Sequence, residues 1–369
     1  MKKIFVWVIL TIWIALIILN ILVPKKDFSE MENRYLSKLP YFTMERLISG
    51  RYMMEMDDFI NDTFVFRDNW VRAKSTIEFI LGKRENNGVF IGDNVLIENV
   101  APKDTELLKY NIEGIKNFSK TYNVPVYFML IPSAGEINKS KLPLFASSFD
   151  QKAFIDNVYE QMGDKVLTIN IYDTLMANKD EYIYYRTDHH WTADGAYISY
   201  VEVCNALGIK AREYSELGIQ QVSDSFYGTL YSKSGFRFIS PDIMKAPKTG
   251  EVEGFFVWKG QGYVTYPDIY FSEYLQKKDK YSYFLGTNEP IVNIKTKANT
   301  DKKLLVFKDS YAHSFIPYLL GDYSEITLMD LRYINEDIDQ VINVNDYSQV
   351  LFMYSIDVFM NTNNTAKLR

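Results

Sequence analysis

The sequence predicts an α/β chain: a parallel sheet of about five strands covered by helices in the three-layer, flavodoxin-like manner, carrying a β-rich insertion and preceded by a transmembrane helix. Three observations predict it. From residue 105 onward, short near-continuous apolar runs alternate with amphipathic helical segments, the pattern of strands buried on both faces. Between residues 218 and 297 that rhythm stops, and Tyr, Phe, Gly and Ser dominate. Residues 4–23 carry no charge.

That N-terminal run has only Thr11 and Asn20 as polar side chains. At 1.5 Å rise per residue it spans about 30 Å, the thickness of a bilayer core. Lys2 and Lys3 precede it, and Lys25 and Lys26 follow. No small-residue cleavage site of the A-x-A kind comes after it. Residues 1–26 therefore read as an uncleaved signal anchor, with removal of the segment as the alternative. Positive charge flanks both ends, and the terminal amine tips the balance towards N-in. The expectation is a single-pass cell-membrane protein, extracytoplasmic from residue 27 onward.

Residues 27–100 read as a helical extension packing on the main domain. Segments 45–66 and 67–81 hold apolar residues at helical spacing, among them Trp70, Ala73, Ile77, Ile80 and Leu81. Asn86, Asn87 and Gly88 signal a turn, and Val89, Phe90 and Ile91 a short strand. Residues 101–369 read as the α/β domain. Helices are expected at 105–122, 150–162 and 193–207. Strands are expected at 124–131, 166–170, 303–307, 325–329 and 349–353. The insertion at 218–297 reads as hairpins or irregular structure helping to shape a cleft.

Composition narrows the function. Forty-seven acids against 41 bases give a net charge of −6, and no basic cluster lies beyond the N-terminus, which argues against nucleic acid as a partner. The single cysteine, Cys204, excludes an internal disulfide framework and a CxxC zinc site. Its apolar helical surroundings suggest a buried thiol. Aromatics reach 15%, which suits half-buried strands or a surface that stacks on sugar rings.

There are only three histidines, so a histidine base has few candidates. His189 and His190 follow Asp188 just before a predicted helix. An Asp two residues before a His suits a carboxylate that orients an imidazole, and a capped loop with buried imidazoles fits equally. The apolar run 304–307 leads through Lys308 and Asp309 into Ser310, which precedes a predicted helix reaching Leu320. That is the carboxyl end of a parallel strand, where open α/β sheets build their sites. Ser310 is then a nucleophile with helix N–H groups nearby, or simply the N-cap. His189 is the rival base, or a structural or substrate-contacting residue. His313 is expected to face solvent. Trp191 packs under the loop or stacks on a sugar, and Asp309 caps the helix.

Together these segments resemble a known pattern. Asp188, His189, His190 and Trp191, followed by Thr192, Ala193, Asp194, Gly195 and Ala196, resemble the DHHW family of bacterial surface proteins. More distantly they are similar to the D-x-H-W signature of alginate O-acetyltransferases of the AlgJ and AlgX kind, which are SGNH-hydrolase-like. Glu32, Asn33, Arg34 and Leu36 resemble the family's E-N-R-x-L, and residues 87–92 its N-G-V-Y-x-G. Lys308, Asp309, Ser310 and Tyr311 also fit, as do Asp330, Leu331, Arg332 and Tyr333. The resemblance runs from about residue 28 to 355 in the same order.

The resemblance implies an SGNH fold in which Asp188 orients His190, His190 is the general base and Ser310 carries the acyl group. It places Arg332 near the active site, with Tyr333 a weaker neighbour. Gly286 and Asn288 are candidate oxyanion donors beside the Ser310 amide. The implied activity is an O-acetyltransferase or acetylesterase on an exopolysaccharide or cell-wall glycan, needing no metal and no cofactor. For a transferase, a multi-pass membrane protein would deliver the acetyl group. Two other readings remain: a non-catalytic glycan-binding surface protein, and a metal-dependent phosphoesterase of the DHH kind. The absence of G-x-S-x-G, P-loop, G-x-G-x-x-G and H-E-x-x-H motifs leaves α/β-hydrolase, nucleotide-binding and zincin readings without support.

Overall fold

The computed structural model describes residues 2–29, 34–103 and 105–368. The chain divides into two compact units, Met1–Asn87 with Tyr231–Phe238, and Gly88–Leu230 with Ile239–Arg369.

The first unit is helical. Helix α1 (Lys2–Leu22) is long and apolar enough to cross a membrane, and its apolar window is wholly unburied. A single-pass anchor and a signal sequence both have this form. Helix α2 (Met44–Ile48) is capped by Thr43, whose hydroxyl accepts from the Arg46 N–H at 3.2 Å. Helices α3 (Arg51–Thr63) and α4 (Arg67–Ile80) follow. Of the E-N-R-x-L segment, Glu32 and Asn33 lie outside the described residues. Arg34 grips the Asp62 carboxylate with two nitrogens, at 2.9 and 2.6 Å, while Leu36 is buried. A planar guanidinium matches a carboxylate in this two-bonded way, which a lysine could not do. The unit closes at Asn87 rather than near residue 100, because Val89–Ile91 and Leu96–Glu98 pair antiparallel inside the second unit and Leu96 bonds to the Arg186 carbonyl there.

The second unit is a mixed α/β body built on one sheet of eight strands. In chain order these are β1 (Val126–Ile131), β2 (Val166–Ile169), β3 (Val252–Trp258), β4 (Tyr263–Tyr266), β5 (Ile291–Thr296), β6 (Lys303–Lys308), β7 (Glu325–Met329) and β8 (Gln349–Ser355). Their spatial order is β4-β3-β5-β7-β6-β8-β1-β2. Every strand expected from the apolar runs is present, and β7, β6, β8, β1 and β2 are mutually parallel. The expected β-rich insertion supplies strands that extend this sheet: β5, β3 and β4 continue it antiparallel from the β7 edge. Alternation along β1 shows why the parallel strands read as unbroken apolar runs. Tyr127, Met129 and Ile131 enter one core with Ala196, Tyr200 and Val203 of helix α7 (Ala193–Leu207). Val126, Phe128 and Leu130 enter another, with Ile112, Ile115 and Phe118 of helix α5 (Thr105–Thr121) and Ile155 and Val158 of helix α6 (Gln151–Met162). Both faces are buried, so neither can be polar.

Candidate active site

Strand β6 runs through the buried centre of the sheet and ends at Lys308. The turn after it is pinned by Asp309, which is fully buried. One carboxylate oxygen accepts the Tyr311 N–H at 2.9 Å, and the other accepts the Ser355 N–H at 2.7 Å from the end of β8. Asp309 thus ties two strand ends together and leaves Ser310 half-buried between them. Helix α8 (Ala312–Phe315) starts only after Tyr311 and passes at once into a 3₁₀ turn. Pro317 has no N–H to donate back to the preceding turn, so the α-helical ladder cannot continue through it. Ser310 is therefore not the N-cap. Its Oγ lies 2.8 Å from His190 Nε2 instead.

The His190 loop is held from below. Buried Asp242 accepts the backbone N–H groups of Arg186 (2.7 Å) and Thr187 (2.8 Å) and the hydroxyls of Thr187 and Tyr182. Burial pushes the Asp242 carboxyl up, against these donors. Above it, Asp188 Oδ1 accepts from the His190 backbone N–H at 3.1 Å and lies 2.6 Å from His190 Nδ1. Asp188 Oδ2 accepts the Thr229 N–H at 2.7 Å and its hydroxyl at 3.0 Å. Burial alone would raise the Asp188 carboxyl. The adjoining His189 and His190 imidazoles and the bonds from His190 and Thr229 outweigh it and hold the group well below the usual carboxylate range. An ionised Asp188 can only accept, so Nδ1 carries the proton and Nε2 offers its lone pair to the Ser310 hydroxyl. Burial, then repulsion from His189, lowers the His190 pKa despite the support of Asp188.

Tyr281 completes the packing. Its ring stacks on His190 with centroids 3.8 Å apart and planes 8° from parallel. Its hydroxyl donates to the Ser310 carbonyl at 3.1 Å and lies 3.0 Å from Ser314 Oγ. Thr229, Tyr281 and Asp242 escaped the sequence reading. No local pattern marks them, because each reaches the loop from a distant part of the chain.

The remaining candidates fall in several places. His189 is half-exposed, with Nδ1 2.8 Å from Thr229 Oγ1 and its ring against that of His190 at a centroid distance of 3.9 Å; it makes no hydrogen bond to Ser310 among the described residues. Trp191 has no exposed surface. Its indole N–H donates to Ser314 Oγ at 3.0 Å and it packs on Tyr311 and Phe315, which rules out stacking on a sugar. His313 is buried, contrary to the solvent-facing expectation, because the turn after Ser310 dives into the core. Its Nε2 accepts from Lys308 Nζ at 2.8 Å, and burial with the Lys308 charge lowers its pKa well below the ordinary value. Lys308 also reaches Asn288 Oδ1 (3.3 Å) and Asp330 (3.6 Å), and Arg332 grips Asp330 with bonds of 2.9 and 2.6 Å. Tyr333 is exposed, and Gly286 is buried against Phe271 at a positive φ. Among the described residues no hydrogen bond joins Gly286, Asn288, Arg332 or Tyr333 to Ser310 or His190.

Asp188, His189 and His190 also offer ligand atoms within 4.8 Å of one another, the arrangement the phosphoesterase reading needs. Every oxygen of Asp188 is already occupied by donors from His190 and Thr229. A cation would have to displace those bonds, so the donor set fits an imidazole-orienting carboxylate better than a metal ligand.

Fold and site together describe an α/β protein that presents a serine, an imidazole and a carboxylate in hydrogen-bonded series at the carboxyl end of a parallel strand. The chain belongs to the DHHW family, whose model, described as DHHW protein, matches residues 110–329. Similar solved structures include a DHHW family protein from Eubacterium siraeum, with 24% identity, 77% of this chain and 95% of that one covered, and a TM-score of 0.65. Another is Bacillus cereus PatB1 with a sulfonyl adduct, with 22% identity, 76% and 98% covered, and a TM-score of 0.65. The O-acetyltransferase domain of Pseudomonas putida AlgJ is a more distant likeness, with 14% identity, 76% and 98% covered, and a TM-score of 0.47. At such identities the likeness is one of fold. No curated protein matches the chain in sequence.

Proposed function

We propose that this chain is a membrane-anchored, extracytoplasmic serine acyltransferase or esterase acting on O-acetyl groups of an exopolysaccharide or cell-wall glycan. The observation that carries the reading is the unbroken series from Asp188 through His190 to Ser310, with links of 2.6 and 2.8 Å. A serine that merely capped a helix would have no use for an oriented imidazole. The resemblance of the Asp188–Trp191 segment to the D-x-H-W signature of alginate O-acetyltransferases supports the glycan substrate, and α1 supports the anchor.

In this mechanism His190 Nε2 takes the Ser310 proton as Oγ attacks the acetyl carbonyl. Asp188 stabilises the resulting imidazolium without accepting its proton. Backbone donors must then meet the oxyanion. The N–H groups of Tyr311, Ala312 and His313 are already bonded to Asp309 or Ser310, so the Ser310 amide is the donor proposed on the nucleophile's own turn. Collapse expels the leaving alcohol, which takes the proton from His190, and leaves acetyl-Ser310. A sugar hydroxyl or water, deprotonated by His190, then releases the acetyl group.

The test is to give the purified full-length protein p-nitrophenyl acetate and weigh it intact. An acetyl adduct of about 42 Da on Ser310 is expected, absent from Ser310→Ala and His190→Ala. A wild-type protein that neither acylates nor turns over would remove the serine mechanism and leave glycan binding as the better reading. Activity that needed an added divalent ion, with no adduct, would favour the phosphoesterase.

A further inference from the structure

Helix α1 is hydrogen-bonded to its own helical unit at the end where it leaves the apolar run. Asn20 Oδ1 accepts the Val65 N–H at 3.1 Å and Lys25 Nζ at 2.9 Å. The same ammonium donates to the carbonyls of Asn20 at 2.7 Å and Thr63 at 2.9 Å. Asn20 stands two residues before the end of α1, about 3 Å along its axis. The turn between α3 and α4 is therefore held at the depth where the apolar helix ends. For a spanning helix that depth is the interface between acyl chains and headgroups.

Two large aromatic residues stand exposed at that turn. Phe66 is 55% exposed and has a φ of +58°, a left-handed conformation that bulky side chains avoid. Trp70 is 52% exposed, while its indole N–H is satisfied by the Val65 carbonyl at 3.1 Å. Its polar tip is tied inward and its apolar surface is open. In water, a strained and exposed phenylalanine beside an exposed tryptophan is costly, and strain of this kind marks a functional constraint. At a headgroup layer the same pair is favourable, since amphipathic aromatic rings settle there. Lys26, also exposed, suits anionic headgroups.

We propose that the α3–α4 turn is a membrane-contact surface, with Phe66 and Trp70 inserted at the headgroup layer of the leaflet that α1 leaves. This rests on the anchor reading of α1. The occupant is the bilayer because the anchor's own hydrogen bonds fix the turn at bilayer depth.

The experiment uses the full chain in vesicles of phosphatidylcholine and phosphatidylglycerol. Single labels of an environment-sensitive dye are placed through Phe66→Cys, Trp70→Cys and Ile12→Cys, each in a chain whose native thiol is removed by Cys204→Ala. Each is challenged with lipid carrying a nitroxide near the headgroup and, separately, with aqueous iodide; free dye in the same suspension is the aqueous reference. Labels at 66 and 70 should be quenched by the lipid nitroxide about threefold or more above that reference and be shielded from iodide. If the Ile12 label is shielded from iodide while those at 66 and 70 respond to iodide alone, the anchor stands and the contact surface is refuted. If 66 and 70 escape both quenchers, protein covers them and the lipid assignment is refuted. An Ile12 label open to iodide refutes the anchor reading, and the surface with it. The two substitutions probe the turn independently, so loss of the Trp70–Val65 bond in one variant leaves the other informative.

Discussion

Gly228 sits where a side chain would collide with the carboxylate that orients His190. A Cβ built there lies 2.2 Å from Asp188 Oδ2 and 2.3 Å from its Cβ, where ordinary contact begins at 3.4 Å. Gly228→Ala therefore forces a displacement of about 1.2 Å between two segments that have nowhere to go. Asp188 is buried and held by four hydrogen bonds, and the Gly228 N–H itself donates to Thr187 Oγ1 at 3.0 Å. The shift must break the pair of bonds from Thr229 or the 2.6 Å contact with His190 Nδ1. Displacement of about 1 Å at a catalytic group costs roughly a hundredfold in rate, and loss of the orienting carboxylate up to about ten-thousandfold. A drop of about 10²–10⁴ in the rate of Ser310 acylation is expected, with a stability loss of about 1–3 kcal/mol from overpacking. Stopped-flow acylation by p-nitrophenyl acetate measures the first, and urea unfolding the second. A folded Gly228→Ala variant that acylates within threefold of wild type would refute the claim that the hold on Asp188 positions His190.

Four further outcomes are expected. Since His190 must be neutral to act and its pKa is lowered by burial and His189, the acid limb of kcat/KM should have its midpoint below the ordinary imidazole value of about 6.5; a limb above 7 would contradict the assignment. Because folded His190 and His313 resist protonation while the unfolded imidazoles bind protons at about 6.5, stability should fall as pH drops below that value; urea midpoints at pH 5.5 and 7.5 decide it, and equal midpoints count against it. Thr229→Val keeps the N–H bond to Asp188 but loses the hydroxyl bond, so acylation should slow about tenfold with little change in fold. Lys308→Met fills the buried position but strips His313 Nε2 of its donor while Arg332 still grips Asp330, and a loss of about 1–3 kcal/mol in unfolding is expected.

The anchor-like helix and the five parallel strands were legible because each depends on a local pattern. A charge-free run of bilayer length, or a strand buried on both faces, leaves its mark within a window of a few residues. With only three histidines the candidates for a base were few, and a serine stands just past a buried strand, but the choice of Asp188, His190 and Ser310 rested on the resemblance of their segments to the DHHW family. Their juxtaposition depended on pairing across 120 residues of sequence, which no local window contains. The same holds for Thr229 and Tyr281, which clamp Asp188 and His190 from short helical turns, Thr229–Ser234 and Lys280–Tyr283, that carry no local signal of that role. His313 and Trp191 show the reverse case: a polar or amphipathic side chain has no fixed preference for burial, so only the packing around it decides. The β-rich stretch carries strand-forming residues, but which sheet edge it joins is set by register against β7. Local propensity thus selects elements, while the position of an edge, a partner or a buried charge is decided where distant segments meet and must satisfy one another's hydrogen bonds.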